Sequence, residues 1–183
     1  MKAVRRCAAA LLCFAALAVA CRREKPASDT PAAGTDERTY AQPVDLYFPG
    51  ESGMLVPERR EIRTTGESED QIAAVVRMLL AGPEGRSLAA PFPPGVELAA
   101  VLLSPSGVAY VDLRGKDNAG PPAGGSTEER LRWMSLVDSV ALNVSEARQV
   151  AVLWNGVQLE TLGGHFDASR PFSPDLSLVA RKP

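Results

Sequence analysis

Short runs in which polar and apolar residues alternate predict several β-strands between residues 44 and 172. The first run, VDLYF at residues 44–48, is stopped by Pro49-Gly50. Alternation with a period of two turns one face of a strand toward a core. Asn155-Gly156 separates two later runs and is typical of a two-residue hairpin turn. The predicted strands are residues 44–48, 58–64, 97–103, 108–113, 149–154 and 157–161.

Two other segments follow the helical period and predict amphipathic helices. Ser68 and Gln71 have the spacing of a capping box at the start of the first helix, as have Ser126 and Glu129 at the start of the second. Each segment places its apolar residues on one stripe, which we expect to face the core. The two stripes are Ile72, Val75, Val76, Leu79 and Leu80, and then Trp133, Leu136, Val137, Val140, Ala141 and Val144.

The order of these elements is strand, strand, helix, hairpin, helix and hairpin, which predicts an α+β fold. Two helices with one apolar stripe each must cover a sheet, so we expect a two-layer sandwich in which a mixed β-sheet is covered by two helices. Residues 44–172 form a single domain in this interpretation, and its size is ample for a core. Residues 173–183 follow as a C-terminal tail for which the pattern predicts no element.

The first twenty residues have the pattern of a secretory signal peptide. Lys2, Arg5 and Arg6 form a basic start, and residues 7–20 then carry no charge. That uncharged stretch is short for a transmembrane helix, which needs about 20 apolar residues. Residues 1–20 are therefore predicted to direct export and to be removed.

The end of this segment, Leu17-Ala18-Val19-Ala20-Cys21, resembles the lipobox of bacterial lipoproteins. The resemblance implies cleavage before Cys21 and attachment of lipid to its sulfur and its new amine. Cys7 and Cys13 would leave with the signal, so the mature chain would hold one cysteine and no internal disulfide. The alternative is an ordinary cleaved signal that leaves Cys21 as a free thiol. Residues 21–43, rich in Pro, Ala, Thr and charge, are predicted to be a flexible tether.

The charge balance excludes nucleic acid as the expected partner. The chain has 20 Lys and Arg residues against 22 Asp and Glu residues, and removal of the signal leaves 17 basic residues. The mature chain is then near −5, and an acidic exported chain is poorly suited to bind a phosphate backbone. The expected partners are the membrane, through the lipid, and an envelope protein or peptidoglycan.

Eight short motifs occur along the predicted domain. They are residues 44–48, Leu55 to Arg60, Leu79-Leu80-Ala81-Gly82-Pro83, Pro94-Gly95-Val96 with Leu98, residues 108–113, residues 135–140, residues 150–156 and Gly163-Gly164-His165-Phe166-Asp167. Their order resembles that of the GerMN domain of sporulation and spore germination. The resemblance implies an α+β module of the cell envelope, similar in fold to small ring-building modules, with no established catalytic residues to carry over. The namesake is similar to two tandem copies, whereas this chain has one.

Candidate catalytic and metal-binding groups are few. His165 is the only imidazole, and Asp167 and Glu160 lie near it in sequence. A zinc site normally needs three or four protein ligands, and a serine hydrolase needs a nucleophile motif that the chain lacks. We therefore expect no metal, no cofactor and no catalytic residue, and we interpret His165 as a turn residue that is exposed or hydrogen-bonded locally.

Two further features could serve a ligand. Trp133 and Trp154 could stack on sugars, although burial in the core is the favoured interpretation. Gly124-Gly125-Ser126 precedes a helix, but acidic residues in the first turn would repel an anion, so we interpret it as a helix start. The polar loop at residues 116–125 adds to the case for a glycan site.

Together these observations favour a non-enzymatic lipoprotein that is anchored at Cys21 to the cell membrane or outer membrane. Its GerMN-like domain would act in binding or assembly at the envelope. A peptidoglycan- or glycan-binding module that uses Trp154 and residues 116–125 is the alternative. A hydrolase that uses His165 is the least favoured hypothesis.

Overall fold

A computed structural model describes residues 38–181. The predicted signal peptide, Cys21 and most of the predicted tether lie outside these residues. The strands are β1 (Tyr40–Pro49), β2 (Leu55–Thr64), β3 (Glu97–Leu103), β4 (Val108–Arg114), β5 (Gln149–Trp154), β6 (Val157–Gln158), β7 (Thr161–Leu162) and β8 (Phe166–Asp167), and the helices are α1 (Ser68–Leu80) and α2 (Ser126–Ala141).

The α+β fold with a mixed sheet and two helices is confirmed. The mixed sheet has the order β3-β4-β5-β6, in which β4 and β5 are parallel and the other neighbours are antiparallel. Asn155 and Gly156 both have positive φ in the turn between β5 and β6, as the hairpin motif predicts. The first two strands differ from the prediction, because β1 and β2 pair with each other as a separate ribbon.

β1 is longer than its alternating pattern. Its pairing with β2 runs from Tyr40 opposite Thr64 to Pro49 opposite Leu55. Residues 40–43 of the predicted tether therefore belong to the strand, which begins four residues before its predicted start. Hydrogen bonding to a partner strand extends the element beyond its apolar residues, since the ladder depends on the backbone.

The helix α1 has the predicted bounds and buries its apolar stripe. Ile72, Val75, Val76 and Leu79 are fully buried. The predicted capping box is wrong, because Glu67 occupies the cap position and makes no side-chain cap hydrogen bond. Asp70, in the first turn, binds the preceding strand end instead, through Thr64 and Thr65. A carboxylate that accepts these bonds ties the helix start to β2.

The helix α2 is buried around most of its circumference. Every residue from Leu131 to Val140 is buried, including four polar ones. The apolar stripe packs in the core as predicted, where Trp133 makes edge contacts with Phe92 and Trp154. A helix with a polar face in the interior must satisfy that face with hydrogen bonds.

Two buried polar side chains of α2, and Asn143 just after the helix, bind the free edge of β1. Asn143 accepts a hydrogen bond from the Asp45 amide at 2.9 Å and donates to the Asp45 carbonyl at 2.7 Å. Ser139 accepts from the Tyr47 amide at 2.9 Å, and Ser135 donates to the Tyr47 carbonyl. Three side chains at four-residue spacing therefore take the place of a further strand along this edge.

The C-terminal segment, for which the sequence pattern predicts no element, lies against β2. It contains a 3₁₀ turn at Leu176–Leu178. Val179 then pairs with Leu55 in a parallel bridge, and the Ala180 amide donates to the Leu55 carbonyl at 2.7 Å. We call residues 173–181 the C-terminal strap.

Candidate functional site

His165 lies over the beginning of α2 and contacts a buried carboxylate. Its side chain is 59% exposed, but its Nδ1 lies 3.1 Å from Oε1 of Glu129, whose side chain is fully buried. The His165 amide also donates to Oε2 of Glu129 at 3.0 Å. The partner is 36 residues away in sequence. Of the two predicted alternatives, the structure shows the exposed His165, and the hydrogen bonds of this residue are to a partner distant in sequence.

The surroundings of Glu129 favour the charged form of its carboxyl group in spite of its burial. Burial alone would raise the pKa of this carboxyl group. The hydrogen bonds from the His165 ring and amide, with a further one from the Gly124 amide, outweigh burial and lower the pKa below its usual value. The predicted capping box between Ser126 and Glu129 is wrong, because the carboxylate is used in this way and α2 has no side-chain cap.

Asp167, which lies near His165 in sequence, is engaged elsewhere. Asp167 accepts hydrogen bonds from the hydroxyl and the amide of Ser169, and these bonds lower the pKa of Asp167. Within residues 38–181 no three His, Cys, Asp or Glu residues are grouped closely enough to hold a metal ion. An exposed imidazole on a buried carboxylate resembles the acid–base half of a hydrolytic triad, but in this part of the chain no serine hydroxyl hydrogen-bonds to the ring.

Both tryptophans are core residues, so neither offers a platform for a sugar. Trp133 is fully buried and Trp154 is 4% exposed. The Trp154 indole donates to the Ala119 carbonyl at 2.8 Å and thereby fixes the loop at residues 116–125. The glycan alternative loses the aromatic residue on which it depended.

The start of α2 is a structural junction. The buried guanidinium of Arg132 donates to the Pro91 carbonyl at 2.8 Å, to the Pro122 carbonyl at 2.9 Å and to Glu128 at 2.6 Å. Arg132 therefore connects the loop before β3 and the loop before α2. Gly124-Gly125-Ser126 leads into the helix at this junction, where Glu128 pairs with Arg132 and the buried Glu129 binds His165.

A groove beside the ribbon is one of several concave surfaces on residues 38–181, and it combines apolar and charged side chains. Its volume is about 550 Å³. One wall is the outer side of the ribbon, and the C-terminal strap forms the other. The lining residues are Asp45, Tyr47, Val56, Pro57, Arg59, Val179, Ala180 and Arg181.

The groove combines an apolar floor with charged groups at its rim. Arg59 and Asp45 form an ion pair at 3.1 Å that is largely exposed, so it contributes little to stability. The half-buried Tyr47 phenol has a raised pKa because of burial and of the nearby carboxylates of Asp45 and Asp138. Sequence patterns could not reveal this site, because its walls come from two segments more than a hundred residues apart.

Asp138 lies behind the groove and is the least satisfied acidic group of the described residues. It is fully buried on α2, its Oδ1 accepts a hydrogen bond from the Asp175 amide at 2.9 Å, and its Oδ2 has no partner. Burial raises its pKa to about 6, with a further contribution from the Asp175 carboxylate. No pattern in the sequence distinguishes Asp138 from a solvent-exposed helix residue.

Comparison with known protein families places the domain in one of them. The profile of a family described as Germane, sporulation and spore germination, matches residues 45–160. The chain belongs to the Germane family. The matched residues include the second half of β1, both helices and the mixed sheet, so the predicted resemblance to the GerMN domain is confirmed. A search of curated proteins found no match to this Germane chain.

Solved structures show the same fold at low identity. The first GerMN domain of the sporulation protein GerM from Bacillus subtilis has a TM-score of 0.57 and 17% identity, covering 72% of this chain and 97% of that one. The tandem GerMN domains of the same protein give 0.55 and 16%, covering 73% and 46%. A candidate lipoprotein from Clostridium perfringens gives 0.53 and 20%, covering 74% and 87%. At such identities the likeness establishes the fold of this Germane domain.

Neither helix of this Germane domain, between residues 38 and 181, has the length and apolar character needed to cross a bilayer.

Proposed function

We propose that this chain is an exported lipoprotein whose Germane domain acts without catalysis, by binding or assembly at the cell envelope. The match of residues 45–160 to the Germane family carries the proposal. The lipobox-like sequence that ends at Cys21 supports an anchor. The likeness to the candidate lipoprotein from Clostridium perfringens supports the same arrangement of anchor and domain.

The groove between the ribbon and the strap is the surface that we assign to binding. Tyr47, Val56 and Pro57 give it apolar contact area, and the Asp45–Arg59 pair gives it polar groups of both signs. Interfaces between proteins combine these features, with an apolar centre and a polar rim. We therefore favour a protein partner over a glycan.

The anchor is tested by substitution of Cys21. Metabolic labelling with a fatty-acid analogue and detergent phase partitioning should place the wild-type chain in the detergent phase with label attached. Cys21→Ser should lose the label, because the sulfur that receives the diacylglyceryl group is missing. Cys13→Ser, in the predicted signal, is the matched control and should behave as wild type. Labelled, membrane-bound Cys21→Ser would refute the anchor.

The binding surface is tested by crosslinking in intact cells. A photoreactive amino acid at Val56, in the groove, should give a discrete adduct with a protein. The same group at the exposed Glu97, on β3, is the control and should not give that adduct. Adducts with peptidoglycan fragments at Val56 would favour the glycan alternative, and equal adducts at both positions would remove the groove from the proposal.

A further inference from the structure

The C-terminal strap is held to the domain by four polar contacts, one of which is to a buried, titratable carboxylate on α2. The Gln149 side-chain amide donates to the Ser173 hydroxyl at 3.2 Å. The Asp175 amide donates to Asp138 on α2. The Asp175 carboxylate pairs with Arg130 at 2.8 Å. Beyond the 3₁₀ turn, the Ala180 amide donates to the Leu55 carbonyl at 2.7 Å. The strap is thus fastened at both ends of the turn and has no ladder of its own along β2 apart from the bridge at Leu55.

The titratable attachment places two carboxylates against each other. Asp138 is fully buried, and one of its oxygens has no hydrogen-bond partner. Asp175 keeps its charge, because the Ser177 hydroxyl and amide and the Arg130 guanidinium lower its pKa in spite of partial burial. From β1, the phenol of Tyr47 is the titratable group that faces Asp138. The one cation in this group, Arg130, is bound to Asp175 rather than to Asp138.

We propose that residues 173–181 are a proton-controlled strap, which docks firmly while Asp138 is protonated and loosens when Asp138 is ionised. An ionised Asp138 is a buried charge with a single hydrogen bond and a like charge beside it, and such a charge gains solvation if the strap lifts. A protonated Asp138 avoids both penalties and still accepts the Asp175 amide. Protonation therefore favours the docked state.

The direction of the pH effect follows from the raised pKa. The pKa of Asp138 is about 6 in the docked state, above the ordinary 3.8 that a solvated group would have. The stabilisation of the docked strap by the proton on Asp138 is therefore complete at pH values below the ordinary pKa. It is lost as the pH rises through about 6. If the group returns to its ordinary pKa on release, docking weakens roughly tenfold between pH 5 and pH 7.5.

Release of the strap changes the groove. Val179, Ala180 and Arg181 form one of its walls. Their removal uncovers Val56, Pro57 and the Leu55 carbonyl, so that a shallow groove becomes an open ribbon edge. This inference builds on the proposed function, because the surface that the strap controls is the one that we assign to binding. The strap motion does not depend on that assignment and is measured without a partner.

Hydrogen exchange on the full-length protein in detergent tests the strap directly. Exchange of peptides that cover residues 173–181 is followed at pH 5 and pH 7.5 and corrected for intrinsic rates. The wild type should lose protection in the strap by about tenfold at the higher pH, with little change in α1. Asp138→Asn keeps an oxygen acceptor for the Asp175 amide but does not titrate, so it should be protected equally at both pH values.

Two further variants complete the test. Asp112→Asn is the matched control. Asp112 also accepts a hydrogen bond from one backbone amide, that of Gly156, but it lies on β4 of the mixed sheet and does not contact the strap. It should keep the tenfold pH dependence of the wild type. Arg130→Gln removes the ion pair with Asp175, so it should reduce strap protection at both pH values and keep the pH dependence of the wild type. This variant also tests the proposal if Asp138→Asn does not fold.

Three results would contradict the proposal of a proton-controlled strap. The first is equal strap protection in the wild type at the two pH values. The second is an Asp138→Asn variant that retains the full pH dependence. The third is a loss of protection at pH 7.5 that is as large in α1 as in the strap, since this would indicate global destabilisation. Failure of the Val56 crosslink alone would leave the strap intact and count only against the proposed function.

Discussion

At the scale of single residues, buried charge near the start of α2 sets the local architecture. Glu129 anchors the turn that carries His165, and Arg132 joins two loops through backbone carbonyls. The sequence predicts Glu129 as a capping residue from its spacing to Ser126. The structure uses it otherwise, because a segment 36 residues away covers the helix start. Spacing rules describe neighbours in sequence and contain no information on what covers an element.

The turn over Glu129 requires glycine at position 163. Gly163 has φ of +75°, and a Cβ there would lie 2.6 Å from Oε1 of Glu129. Gly53 has a similar φ of +71°, but a Cβ there meets no atom within 4 Å. A comparison of alanine substitutions at the two glycines therefore distinguishes the cost of backbone strain, which both share, from the cost of the close contact with Glu129, which only Gly163 has.

We expect Gly163→Ala to lower the free energy of unfolding by at least about 1 kcal/mol more than Gly53→Ala does. The second variant carries only the strain of a left-handed alanine, about 1–2 kcal/mol. Urea denaturation of both variants measures the difference. An equal loss of unfolding free energy in the two variants would show that the Glu129 side chain moves away from the new Cβ without destabilising the fold.

At the scale of elements, the apolar stripes of both helices are predicted correctly, whereas the polar face of α2 is not recognised. Ser135, Ser139 and Asn143 recur every four residues, so a signal was present in the sequence. Small polar residues in such a row are ordinary on a solvated helix face. Burial of α2 from Leu131 to Val140 places Ser135 and Ser139, with Asn143 just beyond the helix, against the edge of β1.

Asn143 is the test of this helix-to-strand contact. It makes three hydrogen bonds, with the Asp45 amide at 2.9 Å, the Asp45 carbonyl at 2.7 Å and the Ser139 carbonyl at 2.7 Å. Asn143→Ala leaves the two groups of Asp45 without these partners, and we expect a loss of about 2 kcal/mol in the free energy of unfolding. The exposed Ser145→Ala should stay within about 0.5 kcal/mol of wild type. A small effect for Asn143→Ala in the same denaturation experiment would mean that water replaces the side chain.

At the scale of the whole molecule, the secondary structure was largely predictable and the arrangement of the sheets was not. The alternating and helical periods place α1, α2 and the strands of the mixed sheet within a few residues. The separation of β1 and β2 from that sheet depends on which edges pair, and local periodicity does not determine pairing. The strap escapes prediction for a related reason, because Leu176, Leu178 and Val179 follow neither period.

Removal of the strap tests whether it stabilises the domain as a whole. A chain that ends at Ser173 loses the Arg130–Asp175 pair and the Ala180–Leu55 hydrogen bond, and it uncovers Leu55, which is fully buried. We expect a loss of roughly 3 kcal/mol, measured by chemical denaturation. A chain that ends at Arg181 is the control and should match the wild type. An unchanged stability after the longer deletion would show that the strap contributes no stability to the rest of the fold.

The double attachment of β1 has a mechanical consequence. Its backbone is bonded on one edge to β2 over its full length and on the other to α2 at Asp45 and Tyr47. Tyr40, its first residue, receives any load that arrives through the N-terminal part of the chain. A force along the strand must then shear the hydrogen bonds on both edges at once. In this geometry many hydrogen bonds share the load, so they must break together. If Cys21 holds the chain to a bilayer, the domain meets tension from the envelope with a strand that is secured from two sides.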